Sequence, residues 1–205
     1  MRFVACAPYI MSKMQKTAQH APRTSGSFAH PRKNVAALGI QGGMRIADFG
    51  AGSGAYALAI AERLGGSGTV YAIDVQRELL RRIHNEAARH GYKNVEVIWA
   101  DLEVPRASKL ADRSVDFVLI SNLLFQMPEK ALLLREARRI VKLEGHVVLI
   151  DWADSYGGMG PLEEEVVPKE AALALARVEG LELRREFSAG AHHYGLVLQP
   201  ISKQV

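Results

Sequence analysis

Cysteine is nearly absent from this chain of 205 residues, with Cys6 as its single representative. One cysteine cannot form an internal disulfide, and it excludes a metal site built from a cluster of cysteines. Long hydrophobic runs are also missing, because no apolar stretch approaches the roughly 20 residues that a membrane helix needs. We therefore expect a protein without a membrane span and with a cytoplasmic location, which the low cysteine usage permits.

Acidic residues are absent from the first 47 positions, which hold seven lysines and arginines. The remainder of the chain carries 19 basic and 22 acidic residues, so the net charge of +4 comes from the N-terminal part. We predict that residues 1–27 form a basic, flexible leader. The alternative is a basic arm that attracts nucleic acid or anionic lipid.

Apolar strands and amphipathic helices alternate from residue 45 onward. The predicted strands are 45–49, 69–74, 94–100, 115–121 and 146–152, and the predicted helices are 31–39, 55–66, 77–91 and 129–145. Continuous apolar strands separated by amphipathic helices favour a parallel sheet covered on both faces. On the helix 129–145, four basic side chains lie mostly off the apolar stripe, which predicts a solvated face rather than a nucleic-acid site. They are Arg135, Arg138, Arg139 and Lys142.

The pattern changes after residue 151. A long loop, 153–167, precedes a helix at 168–180, and then LELRREFS and HHYGLVLQP are predicted to be two strands joined by the turn AGA. Three residues are too few for a parallel crossover, so this pair must be antiparallel. The predicted fold class is therefore α/β, a doubly wound and mainly parallel sheet with an antiparallel C-terminal strand and helices on both faces.

The segment ADFGAGSGAY, residues 47–56, places three glycines between a predicted strand and a predicted helix. Such a loop lets a ligand approach the backbone closely, and the spacing also satisfies the pattern of a nicotinamide dinucleotide loop. Asp48 lies two residues before the first glycine. A carboxylate at this place repels a pyrophosphate and attracts a cation. Asp74 ends the next strand, where it can accept from two ribose hydroxyls, and Asp101 follows the third strand. These acids favour S-adenosyl-L-methionine (SAM) without excluding a dinucleotide.

Five segments in order resemble the successive motifs of class I SAM-dependent methyltransferases, including the small-molecule and quinone-biosynthesis type. They are ADFGAGSGAY, VYAIDV, VIWADLE, VDFVLISNLLFQM and EARRIVKLEGHVVLIDW, and the resemblance covers roughly residues 28–199. It implies a single methyltransferase domain over residues 28–205. It also implies a seven-stranded sheet whose last strand is antiparallel, with SAM as the cofactor.

The resemblance also implies roles for individual residues at the cofactor. Asp48 lies near the methionine portion, the glycine loop offers backbone contacts, and Asp74 binds the ribose. Val75 packs on adenine, Asp101 and Leu102 frame the adenine edge, and Ser121 and Asn122 lie beside the transferable methyl. Phe28 and His30 precede the first strand, where such enzymes often close over the cofactor. The loop contacts are Gly50, Ala51, Gly52 and Gly54.

Candidates for acid–base chemistry follow from the predicted topology. Asp151 ends the fifth strand, and the antiparallel last strand begins at the same edge with His192, His193 and Tyr194. One histidine, with His193 as the candidate we single out, is predicted to act with Asp151 as a base or substrate contact. The alternative is that the two histidines are partly exposed residues of the hairpin with no catalytic role. The two histidines lack a third ligand at suitable spacing, so we expect no metal.

The methyl acceptor is predicted to be a small molecule or a lipid precursor. The segment SNLLFQ after the fourth strand differs from the Asn/Asp-Pro-Pro-Tyr/Phe motif of many methyltransferases that act on amino and amide nitrogens. A single cysteine argues against the thiol relay of an arsenite methyltransferase. Two alternatives stay open: an RNA methyltransferase that uses the basic leader as an arm, and a non-catalytic SAM-binding regulatory module. The sequence leaves the oligomeric state open.

Overall fold

A computed structural model describes residues 29–201, so the predicted leader and Phe28 lie outside the described residues. Within this range, seven strands form one sheet in the order β3-β2-β1-β4-β5-β7-β6. The strands are β1 (Arg45–Phe49), β2 (Thr69–Asp74), β3 (Val95–Trp99), β4 (Val115–Ser121), β5 (Val141–Trp152), β6 (Leu181–Gly190) and β7 (His193–Pro200).

The strand pairing confirms the predicted fold class. β1 pairs in parallel with β2 and β4, and β4 pairs in parallel with β5. β7 inserts between β5 and β6 and runs antiparallel to both. This arrangement follows from the short β6–β7 connection, since only a hairpin can join strands across so few residues.

Five helices of the described part of the chain cover the two faces of the sheet. They are α1 (Pro31–Ala37), α2 (Ala55–Leu64), α3 (Arg77–Arg89), α4 (Lys130–Ile140) and α5 (Lys169–Val178), with short 3-10 turns at Leu124–Gln126 and Glu163–Glu165. Helices α1, α2 and α3 pack into one apolar cluster and α4 and α5 into the other. We call these two sides of the sheet the α2 face and the α4 face. None of the helices within residues 29–201 is long and apolar enough to cross a membrane.

Strand order reverses between β1 and β4, and this point fixes the place of a ligand site. From β1 the chain proceeds outward to β2 and β3, and then returns to the other side of β1 as β4. The loops that leave β1 and β4 therefore diverge and open a crevice at the carboxyl edge of the sheet, where open α/β sheets bind ligands. The glycine loop and Asn122 both lie at this edge.

Two predicted boundaries are wrong. The helix predicted for 129–145 ends at Ile140, and β5 begins at the next residue, Val141, rather than at 146. Gly145, the last residue of the predicted helix, lies inside β5, where an added Cβ would approach the Asp116 carbonyl to 2.6 Å. The close approach of β4 explains the glycine. The predicted turn AGA is likewise shorter, because β6 continues through Gly190.

The basic side chains of α4 are paired more fully than a solvated face requires. Arg139 is only 14% exposed and binds Glu136, which is 4% exposed, at 2.7 Å. The same guanidinium binds Asp112, and Ser108 donates to the Glu136 carboxylate through its backbone amide. Because Glu136 accepts several hydrogen bonds that outweigh its burial, its pKa lies below the usual range. Arg135 pairs with Glu179 and Arg138 donates to the Gly180 carbonyl, so two of the three arginines of α4 are paired with carboxylates.

Candidate functional site

The glycine loop between β1 and α2 is shaped by close packing. Gly50, Gly52 and Gly54 all have positive φ angles, at 66°, 53° and 82°. A Cβ at Gly50 would lie 2.9 Å from the Leu123 side chain, and one at Gly54 would lie 2.6 Å from Ile83. Glycine is needed at both positions because the conformation is left-handed and the neighbouring side chains occupy the space. The predicted loop residue Ala51 is buried between them and donates its N–H to the Ile73 carbonyl.

Asp74 holds this loop against the end of β2. Its Oδ2 accepts a hydrogen bond from the Gly52 amide at 2.9 Å, and its Oδ1 accepts from the Gln76 amide at 2.8 Å. The side chain is buried, with 7% exposure. Each carboxylate oxygen keeps a further lone pair, so Asp74 is able to accept from ligand hydroxyls while it fixes the loop.

Asp48 is a buried carboxylate at the end of β1. It is 2% exposed, and its Oδ2 has no hydrogen-bond partner among the residues that the structure describes. Burial, followed by the nearby charge of Asp74, raises the pKa of Asp48 from its ordinary value of 3.8 to about 7. A buried carboxylate of this kind is stabilised by a cation, which relieves the cost of its ionised form.

Ser121 ends β4 and Asn122 follows it, on the other side of the crevice. Asn122 has a positive φ of 51°, and its amide donates to the Ile150 carbonyl at 2.8 Å. Its buried Oδ1 and the buried Ser121 Oγ have no partner at hydrogen-bonding geometry within residues 29–201. The Tyr56 hydroxyl lies near Ser121. Burial raises the pKa of Tyr56, and the neighbouring polar groups of Asn34 and Ser121 oppose this shift. A non-glycine residue in the left-handed region is strained, and such strain concentrates at functional sites.

The residues predicted for the adenine lie after β2 and β3. Val75 is 52% exposed, so its side chain is free to pack on a ligand, whereas Leu102 is buried beneath the sheet edge. Asp101 is exposed and its Oδ1 accepts from the Glu103 amide at 3.0 Å. Trp99, which sequence reasoning did not assign, donates its indole N–H to the Val75 carbonyl at 2.9 Å. The structure thus brings these residues to one edge, beside Asp74.

A buried amide that sequence reasoning missed connects α1 to the site. Asn34 is 3% exposed and donates through Nδ2 to the Tyr56 hydroxyl and to the Ala189 carbonyl, both at 2.9 Å. Tyr56 is the last residue of the glycine segment ADFGAGSGAY, whereas no sequence pattern singles out Asn34. The predicted residue His30 lies at the start of α1 and lines a cavity of about 210 Å³ together with Asn34 and Gly190.

Asp151 and His193 do not form the predicted pair. Trp152 is the register partner of His193, so these two side chains share the α2 face, and Asp151 points to the α4 face. There the Asp151 carboxylate accepts from the amides of Leu124 and Trp152, at 2.9 and 2.8 Å. Burial raises the pKa of Asp151 to about 6. The hydrogen bond from the Leu124 amide to Asp151 holds the segment after β4 in place.

His193 is buried on the α2 face at the start of β7. It is 5% exposed, its ring packs against Trp152 at a centroid distance of 4.3 Å and a tilt of 39°, and neither ring nitrogen has a hydrogen-bond partner in the described part of the chain. Burial lowers the pKa of His193 to about 4. His192 differs, because its Nδ1 lies 2.7 Å from Asp154 and its ring stacks on Tyr156.

Unpartnered buried polar atoms are therefore concentrated along one edge. Asp48, Ser121 and His193 all lie on the α2 face by strand alternation, and Asn122 follows directly. Buried polar groups in proteins are normally hydrogen-bonded, so a row of unsatisfied ones marks the place of a ligand. No group of three or more His, Cys, Asp or Glu residues within 29–201 is arranged to hold a metal ion.

Comparison with known proteins identifies the family. Residues 40–192 match the family model described as a methyltransferase domain. The chain belongs to this methyltransferase family. A demethylmenaquinone methyltransferase from Bacillus velezensis is 29% identical over 120 residues, which are 58% of this chain and 50% of that protein. An arsenite methyltransferase from Aquipseudomonas alcaligenes is 33% identical over 114 residues, or 53% of this chain and 33% of that protein. The chain thus spans half or less of the length of these curated relatives.

Solved structures agree with this family. A SAM-dependent methyltransferase from Aquifex aeolicus superimposes with a TM-score of 0.76 at 28% identity, over 85% of this chain and 91% of that chain. A TehB-like SAM-dependent methyltransferase from Corynebacterium glutamicum gives a TM-score of 0.62 at 16% identity, over 94% and 96%, and shows the fold alone. The predicted methyltransferase class and its cofactor, SAM, are confirmed. The residues fit this cofactor, because a buried carboxylate without a partner at the loop suits a cationic ligand.

Proposed function

We propose that this chain catalyses methyl transfer from SAM to a small molecule or lipid precursor. The observation that carries the proposal is the row of unpartnered buried polar atoms on the α2 face, which begins at the glycine loop and continues across β4 to β7. One end of this row suits the cofactor. The other end lies beyond the segment that follows β4, where an acceptor has room to meet the methyl group.

In this proposal the cofactor end is held by residues from three strands. Asp48 balances the positive charge of the methionine portion, the glycine loop and Asp74 hold the ribose, and Val75 with the neighbouring Asp101 and Leu102 encloses the adenine. Ser121 and Asn122 line the space beside the methyl. Their rigid placement supports this assignment, because Asn122 is locked by its bond to the Ile150 carbonyl and Asp74 by two backbone amides.

Methyl transfer requires mainly that the acceptor atom, the methyl carbon and the sulfur are positioned in line. SAM supplies a methyl group activated by a sulfonium. An electron pair of the acceptor forms the bond to the methyl carbon, the carbon–sulfur electron pair stays on sulfur, and any proton on the acceptor leaves to water. The protein holds the reacting atoms in line and excludes water, and such orientation is worth up to roughly 7–11 kcal/mol in the best intramolecular models.

A small acceptor is favoured by the way the loop 153–167 closes over the edge. Asp154 binds His192 at 2.7 Å, Tyr156 stacks on the same ring at 4.1 Å, and a Cβ at Gly160 would lie 2.7 Å from the Trp152 ring. The names of the relatives point to quinone or arsenite acceptors. The single cysteine of this chain is less suited to arsenite, so a quinone-type or other organic acceptor is our first choice.

Calorimetric titration with SAM, S-adenosylhomocysteine and NAD tests the cofactor end. Asp74→Ala should weaken SAM binding by at least tenfold, since it removes a charged acceptor of hydrogen bonds. Glu96→Ala, which changes an exposed carboxylate on β3, serves as the matched control. Binding of NAD instead of SAM by the unmodified chain would refute the proposal.

Labelled methyl transfer then separates the three functions. A small-molecule acceptor predicts label in organic-soluble compounds. An RNA acceptor predicts label in RNA and steeply salt-dependent binding that is lost on removal of residues 1–27. SAM binding without transfer to any acceptor pool would favour a regulatory module.

A further inference from the structure

His193 is the buried polar side chain of this edge that the cofactor end does not explain. Its two ring nitrogens lack partners among residues 29–201, although the residue is only 5% exposed to solvent. Leaving such nitrogens unsatisfied costs stability unless a ligand completes them. We infer that His193 binds a hydroxyl or carbonyl group of a planar, uncharged, conjugated acceptor, and that it is a specificity-determining residue of the methyl-transfer site. This inference rests on the proposed function.

The distance from the cofactor end suits a ring-sized acceptor. Ser121 pairs with Ile150 in the register of β4 and β5, and Ile150 pairs with Gly195 of β7. His193 therefore lies on the same face as Ser121, two strands away and one residue pair further out. Two strand spacings and the rise of two residues along β7 combine to roughly 12 Å between the Cα positions. A ligand of one or two fused rings spans this gap between the methyl position and the imidazole.

The surroundings of His193 favour a flat and uncharged ring. Trp152 packs at a tilt against one side of the imidazole, and the Phe187 ring fills the space above Gly195, where a Cβ would approach it to 2.6 Å. Gly190, the register partner of His193, lines a cavity of about 210 Å³ beside α1, together with polar residues that include Lys33 and Asn34. The rings of Trp152 and Phe187 beside the imidazole are typical of walls that orient small conjugated ligands.

The imidazole has the protonation state that this role requires. Burial, with a smaller contribution from His192, lowers the pKa of His193, so the ring is neutral near pH 7. A neutral imidazole accepts one hydrogen bond and donates another. It is therefore able to accept from a hydroxyl or to donate to a carbonyl, and it adds no positive charge that would select an anionic acceptor.

The experiment uses the full chain saturated with S-adenosylhomocysteine and two probes, 1,4-dihydroxynaphthalene and 1,4-dimethoxynaphthalene, titrated anaerobically by calorimetry. His193→Phe keeps the stack on Trp152 and removes both nitrogens, whereas His193→Gln keeps hydrogen-bonding capacity. The matched control is His146→Phe, because His146 is a half-buried histidine stacked on Phe117 further back along β5.

We expect His193→Phe to weaken binding of the dihydroxy probe about tenfold or more, which corresponds to the loss of a buried hydrogen bond. His193→Gln should stay within about threefold of the unmodified chain. Binding of the dimethoxy probe, which has no hydroxyl to donate, should be weak and insensitive to His193→Phe. Affinity for S-adenosylhomocysteine should be the same in His193→Phe and His146→Phe, and the midpoint of thermal unfolding of His193→Phe should not fall below that of His146→Phe.

Three results would overturn the inference: unchanged affinity of His193→Phe for the dihydroxy probe, equal losses in His146→Phe, or no saturable binding of the dihydroxy probe. Each leaves the proposed function standing as long as S-adenosylhomocysteine still binds. Failure of the unmodified chain to bind S-adenosylhomocysteine would instead remove the proposed function itself.

Discussion

Replacement of Asp48 by asparagine should stabilise the ligand-free protein in a pH-dependent way. Burial raises the pKa of Asp48 from 3.8 to about 7, so the folded state holds the proton more tightly than the unfolded state. For an acid of this kind the contribution to stability falls as the pH rises from about 4 to about 7. The shift of about 3 pKa units corresponds to a cost of about 4 kcal/mol once the carboxylate is fully ionised.

Asparagine removes the charge and keeps an oxygen for the Ala57 backbone amide that contacts Asp48. Its new amide hydrogens add a penalty of roughly 1–3 kcal/mol that does not vary with pH. The charge term alone amounts to about 2 kcal/mol at pH 5 and about 4 kcal/mol at pH 8. The informative quantity is therefore the change in the stability difference, which should grow by about 2–3 kcal/mol in favour of the variant between these pH values.

Urea unfolding of Asp48→Asn and the unmodified chain at pH 5 and pH 8 measures this quantity. Asp101→Asn is the control, because Asp101 is an exposed carboxylate at the same edge. A stability difference that stays constant between the two pH values would refute the reasoning that Asp48 carries a desolvated charge.

The same substitution should harm SAM binding while it helps stability. A cation beside Asp48 favours its ionised form, so binding releases a proton below pH 7 and the affinity of the unmodified chain should rise about tenfold or more from pH 5.5 to pH 7. Asp48→Asn should lose this dependence. Parallel pH profiles for the two proteins would show that the cofactor does not use the charge.

Three further substitutions test the packing and the charge network that support the site. Gly54→Ala should lower the free energy of unfolding by about 2 kcal/mol or more, because the left-handed backbone costs roughly 1–2 kcal/mol and the new Cβ would meet Ile83; an unfolding curve like that of the unmodified chain would contradict this. Arg139→Met should cost about 3–5 kcal/mol in urea unfolding, since it leaves the buried Glu136 carboxylate unpaired. Arg135→Met removes a more exposed guanidinium from the same helix and should cost less than about 1 kcal/mol, and equal losses would show that burial does not separate the two pairs.

The repeating part of the fold was predictable because burial imposes a regular pattern on it. β1 and β2 were predicted at their observed bounds, since each is a continuous apolar run between turn residues. The junction of α4 and β5 was not, because Val141 and Leu143 fit a helical stripe as well as a strand. The pairing of Val115 with Val141 decides between them, and that contact depends on residues far apart in the sequence.

The residues proposed for the cofactor end carry more signal in the sequence than those proposed for the acceptor end. Asp74 follows a short apolar strand, and the loop that it holds has an alternating glycine pattern, so both carry local signals. Asn34 carries none, because its role depends on contacts with Tyr56 and with the Ala189 carbonyl, 155 residues away. The side to which Asp151 points follows from the register with β7, which spacing in the sequence does not determine.

Asp48 and Asp151 show why geometry is needed to separate function from support. Both are buried carboxylates near the carboxyl ends of parallel strands, and burial raises the pKa of each, to about 7 and about 6. Both oxygens of Asp151 accept from backbone amides, on the α4 face, so the fold itself satisfies that side chain. Asp48 keeps an oxygen without a partner among the described residues, on the face that also carries His193. The unsatisfied Asp48 carboxylate lowers the stability of the ligand-free protein, and a bound cation would offset this loss. We therefore expect ligand binding and stability to be coupled on the α2 face.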